Sequence, residues 1–395
     1  MTNPFHNSSS RSSWLAKPVL DVLLWLFLVP MAAPAWAAEP VKIAMTSDHW
    51  TTSGLADFVQ RDGFDAIELK AGDYAKKIKT GQAVLNNFTF HDGTIEYDVE
   101  ATTSMGAGFA FRRRDENTYG LFYLRPRPKC EEAVDCIQYA PQTHGVLLWD
   151  MFPRYQKPAP LRQGGWNHIK LVVSGQRMNV FINGEKAPSL EIGNLEGDTL
   201  DGGLALQGPG IFANLTVTPD ATEDLPKVAA KDPTAGDRRF VRNWQIAPPT
   251  KLAADHEPAL ADLPMSWKPL TSERGGLVNV SREYGLPFSR EERGVVWLKT
   301  RIHSRSAQQK RVAVGWAREI WVFVNGQPVF ADKNLYQPPS ARKEPDGRCS
   351  LENGFLVLPL KAGDNEVDVA LANNFYGWGL IMHLDDLKGV SLSRQ

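Results

Sequence analysis

The segment Gly93–Ala101, GTIEYDVEA, sets Glu96, Asp98 and Glu100 at alternate positions with Ile95, Tyr97 and Val99 between them. On a β-strand successive side chains point to opposite faces, so the acids share one face and the apolar residues the other. Carboxyls on one face could serve as nucleophile and acid/base at a glycosidic bond, where a retaining mechanism needs two of them about 5–5.5 Å apart. Same-face positions repeat at about 6.5–7 Å, a gap that leaning side chains could close. An ordinary half-buried strand, wet on the acid side, reads identically. That sheet face is the expectation here, with Glu96, Asp98 and Glu100 kept as the catalytic alternative.

A second set of residues has the chemistry of binding. In YGLFYLRPRP, alternation sends Phe122 and Leu124 inward and leaves Tyr123 and Arg125 outward. In GFAFRRR the same logic buries Phe109 and Phe111 and turns Arg112 out. A ring beside planar cations suits a sugar, whose C–H face stacks on the ring while hydroxyls or carboxylates accept guanidinium hydrogen bonds. Gln138, His144 and Trp149 follow on the next segments and are expected in the same groove. Tyr336, in a Pro-rich loop, and Phe375 and Trp378, in NNFYGWGL, are expected at a loop end of the second half. Paired guanidinium groups extend the expected partner from carbohydrate in general to an acidic polysaccharide. The competing reading ties the arginines to Asp98 and Glu100 in an ion-pair network.

The elements that must position these residues are strands. A chain of 395 residues predicts two domains. Short alternating runs broken by Gly, Asn, Asp and Pro predict an all-β protein of two antiparallel jelly-roll sandwiches. Asn183-Gly184 and Asn325-Gly326, each after a V-F-x run, fit hairpin turns whose central residues need positive φ. Residues 219–238 lack apolar periodicity and read as a polar linker between domains 38–218 and 239–395. Residues 1–37 read as a signal peptide: Arg11 and Lys17 precede an apolar run that ends at Ala35-Trp36-Ala37. The mature chain is therefore expected to be secreted or periplasmic, without membrane insertion after cleavage.

The run of segments FHDGTIEYDVEA, GAGFAFRRRDENTYGLFYLRPRP, QYAPQTHGVLLW, WNHIKLVVSGQRMNVFING and GGLALQGPGIFANLTVTP resembles the laminin-G-like branch of the concanavalin A-like jelly rolls. The second half, through VVWLKTRIHS, IWVFVNGQPVF, LPLKAGDNEVDVAL and FYGWGL, is similar to the galactose-binding-like jelly roll found beside many glycosidases. The first resemblance implies a fold shared by lectins, adhesion modules and hydrolases alike. Laminarinase-type hydrolases of that fold carry Glu-x-Asp-x-Glu on the catalytic strand, which Glu96-Tyr97-Asp98-Val99-Glu100 resembles with Tyr97 at an aliphatic position. In those enzymes the catalytic strand follows a Gly-rich segment. Here GAGFAFR comes after the acids, which matches them to an earlier, non-catalytic strand.

Other chemistries lack support. A net charge of −1 gives no reason to expect nucleic acid as a partner. The eight histidines fall in no metal-ligand spacing, and no nucleophile elbow or phosphate loop occurs. No cofactor is expected; calcium at DKNLYQPP or KAGDNE is the weak alternative. In an oxidising compartment Cys130 and Cys136 are expected to pair, leaving Cys349 as a spectator thiol. The combined expectation is a non-catalytic carbohydrate-recognition or cell-envelope protein. A glycoside hydrolase or lyase using the Glu96–Glu100 strand, and an adhesion module binding a protein partner, are the alternatives.

Overall fold

The computed structural model describes Met1 and residues 39–392 other than Tyr74, Met105 and Arg290. The expected signal segment, Met1 apart, lies outside the described residues. From Ala38 onward the chain is one compact unit. It is all-β and antiparallel as the alternating runs predict; Val280–Tyr284 is the α-helical segment among the described residues.

Two eight-stranded sheets form the first sandwich, each with a short strand off its main path: Val41–Lys42 pairs with Gly210–Pro219 and Gln156–Lys157 with Ile137–Thr143. One runs Leu190–Ile192, Arg177–Ile182, Asn167–Ser174, Gly93–Glu100, Gly210–Pro219, Phe64–Leu69, Ala56–Arg61. The other runs Val146–Leu147, Ile137–Thr143, Thr118–Leu124, Ala107–Asp115, Gly203–Gln207, Gln82–Leu85, Trp50–Ser53. Ile95, Tyr97 and Val99 of the first meet Phe109, Phe111, Phe122 and Leu124 of the second in one core. Tyr97 stacks on Phe109 at 4.7 Å. Burial of such side chains, about 1.5–3 kcal/mol each, outweighs what the strands' modest propensities contribute.

The second sandwich pairs an eight-stranded sheet centred on Arg293–Ser304 and Gly363–Asn373 with a four-stranded one, Val278–Asn279, Gly379–Leu384, Gln308–Trp316 and Gly354–Leu360. Val296, Leu298, Ile320 and Val369 pack there against Val314, Trp316, Leu358 and Leu380. Asn325 and Gly326, at φ 49° and 81°, turn the hairpin between Arg318–Val324 and Gln327–Asn334. Residues 219–230 lie along the first sandwich, where the Gln176 N–H donates to the Lys227 carbonyl and the Ala230 N–H to that of Gly193, each at 2.7 Å, and Lys231, Thr234 and Asp237 bond Arg274, Arg242 and His383 of the second half.

Arg112 departs from the alternation rule. The strand Ala107–Asp115 slips register against its neighbour between Phe111 and Asp115, and Arg112 itself sits at φ 50°. The bulge turns its side chain inward, where it is 2% exposed. Its guanidinium donates to Asp92 at 2.8 Å and to the carbonyls of His91 and Gly175. Arg112 is therefore a structural clamp and not an outward binding group. Arg112→Ala should lower unfolding stability by about 3–5 kcal/mol, because the buried Asp92 loses its main counter-charge. Chemical denaturation checks this.

Candidate functional site

The two outer sheet faces of the first sandwich are the candidates. The carboxylates of Gly93–Glu100 do point away from the core, yet each is engaged. Asp98 accepts from Asn214 Nδ2 at 2.7 Å and lies 2.8 Å from His168 Nδ1. Glu96 is 3.5 Å from His168 Nε2, and Glu100 accepts from Arg61 at 2.8 Å. The expected link from Asp98 and Glu100 to Arg112 and Arg125 is absent, since those arginines belong to the other sheet.

The outer face of that other sheet carries the groove. Its exposed-side positions are small or apolar: Ala110, Leu121, Ala140 and Ala205 form a cluster with Tyr119, Tyr123 and Trp149. Loops of the second sandwich complete it with Tyr336, Phe375 and Tyr376. The cavity between them is about 310 Å³ and is lined by Gly106, Gly108, Tyr123, Arg125, Trp149, Gln207, Tyr336, Phe375 and Tyr376, among others. That volume is within the range of small-molecule sites, about 300–1,000 Å³.

Trp149 organises the walls. Tyr336 meets it edge-on at 5.0 Å and Tyr376 at 5.8 Å, while Arg125 and Arg348 stand over its ring at 5.6 and 5.2 Å. Arg125 also covers Tyr123 at 4.6 Å. Beneath them Gln138 is fully buried: its carbonyl oxygen accepts from Tyr123 Oη and Arg125 Nη1, and its amide donates to the Trp149 carbonyl at 2.6 Å. Gln138 thus fixes three groove residues without lining the cavity. Burial pushes the Tyr123 hydroxyl well above its ordinary pKa, so it is a neutral donor and acceptor.

Loops from two sandwiches stay in register through a buried ion pair. Asp150 accepts from Arg318 Nη2 at 2.7 Å and from the Gly377 N–H at 3.0 Å. Burial raises the Asp150 pKa, and the Arg318 charge opposes that shift. Arg318 also donates to the Phe375 carbonyl, which holds that ring against the groove. Cys130 and Cys136 are disulfide-bonded, with Cα atoms 5.5 Å apart. Their loop carries Asp135, which bonds Arg348 at 2.9 Å. Cys349 is buried and unbonded, and burial pushes its thiol pKa up.

Tyr123, Arg125, Trp149, Tyr336 and Phe375 are thus brought together across a long sequence separation. Four others are not: Arg112, held by Asp92, does not line the cavity wall. Gln138 lies beneath it. His144 occupies an exposed turn at φ 48°. Trp378 is completely buried in the second sandwich's core, because alternation past the tight Gly377 turns its ring inward. Gly106 and Gly108 also line the cavity; glycine inside a strand, as Gly108 is, signals close approach. A Cβ at Gly108 would come within 2.9 Å of Leu121 Cδ1. Of the loops considered for calcium, Asp332 pairs with Lys343 and Asp364 with His303, each at 2.7 Å. Among the described residues no three His, Cys, Asp or Glu side chains converge as a metal site.

Residues 45–218 match the family described as the 3-keto-alpha-glucoside-1,2-lyase-like domain. No curated protein matches the chain. Among solved structures, the chain is similar to a carbohydrate-binding module from Bacillus subtilis at 14% identity, over 42% of this chain and 93% of that one, with TM-score 0.31. The fourth domain of an extracellular arabinanase from Geobacillus stearothermophilus, solved with arabinotriose, is 13% identical over 44% and 83%, TM-score 0.31. A β-glucanase from Bacillus licheniformis is 11% identical over 44% and 93%, TM-score 0.30.

The Asp98–His168 pair gives a pH signature. Burial works against the Asp98 charge, but the His168 and Asn214 hydrogen bonds outweigh it and lower the carboxyl pKa. The hydrogen bond to Asp98 raises that of His168. The stabilisation is present above the unfolded Asp pKa and below the unfolded His pKa, about 3.9 to 6.5. It fades as pH falls through the lowered Asp98 value or rises through the raised His168 value. With His168 46% exposed, the pair is worth under about 1 kcal/mol. His168→Asn should flatten the alkaline limb of a melting-temperature profile by that amount.

Proposed function

We propose that the protein is an exported carbohydrate-recognition protein that binds a glycan in the groove between the outer sheet face of the first sandwich and the loops of the second. The observation that carries this reading is the joint presence of Tyr336, Phe375, Tyr376 and Trp149 with Arg125 around one cavity of about 310 Å³. Aromatic edges and faces accept the C–H surface of a pyranose, and a guanidinium supplies directional hydrogen bonds to its oxygens. The matched family's description names a glucoside, which supports a sugar as the ligand class. Export to the periplasm or beyond is supported by the leader-like segment that ends at Ala37 and by the Cys130–Cys136 disulfide.

Tyr336→Ala removes a half-buried ring from the groove edge and should weaken glycan binding about tenfold, a loss of about 1.4 kcal/mol. Gly108→Val should block the cavity floor and abolish binding. Titration calorimetry against oligosaccharides found by array screening measures both. Unchanged affinity in the two variants contradicts this reading.

A second reading, a lyase or hydrolase acting on a sugar, is favoured by the family match alone. Elimination beside a keto group needs a base, and a described histidine with a carboxylate at each ring nitrogen is His168, with Asp98 at one and Glu96 at the other. On this reading a 3-keto-α-glucoside is cleaved by the wild type and spared by His168→Ala. Equal product from both proteins, followed by chromatography, removes His168 from the chemistry.

A further inference from the structure

We infer that the sugar recognised in the groove is anionic, with its charged group held at the Arg125 end; the inference rests on the groove being a glycan site. Three guanidinium groups converge there on one carboxylate. Asp135 lies 2.9 Å from Arg127, 2.9 Å from Arg348 and 3.6 Å from Arg125. The next acid outward, Asp346, is 3.8 Å from Arg348 and 3.9 Å from a fourth guanidinium, Arg342, which stacks on Tyr336 at 4.4 Å. Four guanidinium groups thus share two carboxylates, an excess of cation among these paired groups. Nearby Lys343 is already matched by Asp332.

The excess is sheltered. Asp135 is 7%, Arg348 1% and Arg125 17% exposed at the side chain, which limits screening by solvent and salt. Arg125 makes two side-chain hydrogen bonds, to Gln138 and to the Tyr123 hydroxyl, out of the five donors a guanidinium has. It lines the cavity, and Arg127, 40% exposed, flanks it through their shared Asp135. A planar fork of this kind fits an oxyanion better than a neutral hydroxyl. The pair is not the one expected from the sequence, because Arg112 is sequestered by Asp92 and Arg127 stands in its stead.

The shared chemistry is an anionic substituent on a sugar ring, either a uronic acid carboxylate or a sulfate ester. The test titrates the mature protein with three probes: trigalacturonate, the same trisaccharide with its carboxyls reduced to alcohols, and a sulfated neutral trisaccharide. Charged probes should bind at least tenfold more tightly than the reduced one, and salt at about 0.5 M should narrow the margin without erasing it. Arg127→Gln, which removes the ion pair with Asp135, should shrink the margin several-fold. Arg125→Gln should remove the margin altogether. A larger margin for the carboxylate or for the sulfate identifies which anion is preferred, and either supports the inference. Equal affinity for charged and reduced probes overturns it while leaving the glycan groove intact. Failure of all three to bind, with Tyr336→Ala indistinguishable from wild type on a wider glycan array, overturns the groove reading and this inference with it.

Discussion

The groove depends on Asp150. A single residue at the end of the first sandwich's outer sheet contacts three segments of the second: its carboxylate accepts from Arg318 and from the Gly377 N–H, and its carbonyl from the Cys349 N–H. Buried charges of this kind cost several kcal/mol each to desolvate and are tolerated only as a pair. Neither sandwich can withdraw without exposing a partnerless ion. Gly377 is the corresponding steric constraint, since a Cβ there would fall 2.3 Å from Asp150 Oδ1 and 2.4 Å from Met151 Cγ. The loop that carries Phe375 and Tyr376 is held over the sheet because its backbone approaches this closely.

That constraint explains why an unusual sheet face can exist. The outer surface of Thr118–Leu124 and its neighbours is too apolar, with Leu121, Ala110, Ala140 and Ala205, to face water as an ordinary wet side. Loops of the second sandwich cover part of it, and the uncovered remainder becomes the cavity. Gly106 and Gly108 keep its floor low, and Trp149 ties the floor to the covering rings. The Cys130–Cys136 loop braces the far end, where Asp135 reaches Arg348 of the second sandwich. The opposite sheet has no such cover. Its acids answer their exposure locally, through His168, Asn214 and Arg61.

Much of this was legible in the sequence, for identifiable reasons. Period-two alternation correctly assigned Ile95, Tyr97 and Val99, and also Phe122 and Leu124, to the core, because their strands run without interruption. Asn325-Gly326 marked a hairpin because positive φ at two successive positions selects those residues. Alternation failed at Arg112, where a bulge that no residue type announces reverses the side chain. The loop-end expectation failed at Trp378, which an aromatic-rich loop suggested would be exposed and which is core. The meeting of Tyr123 with Tyr336 and Phe375 had no local signal at all. It arises from the long-range pairing of Asp150 with Arg318, 168 positions apart.

The central claim is that one ligand touches both sandwiches at once. Hydrogen–deuterium exchange of the protein, with and without a saturating oligosaccharide that it binds, tests this directly. The account predicts simultaneous protection of residues 119–125 and 147–150 from the first sandwich and of 334–343 and 373–378 from the second. Protection confined to Gly93–Glu100 and Asn167–Ser174, or to one sandwich only, would contradict it.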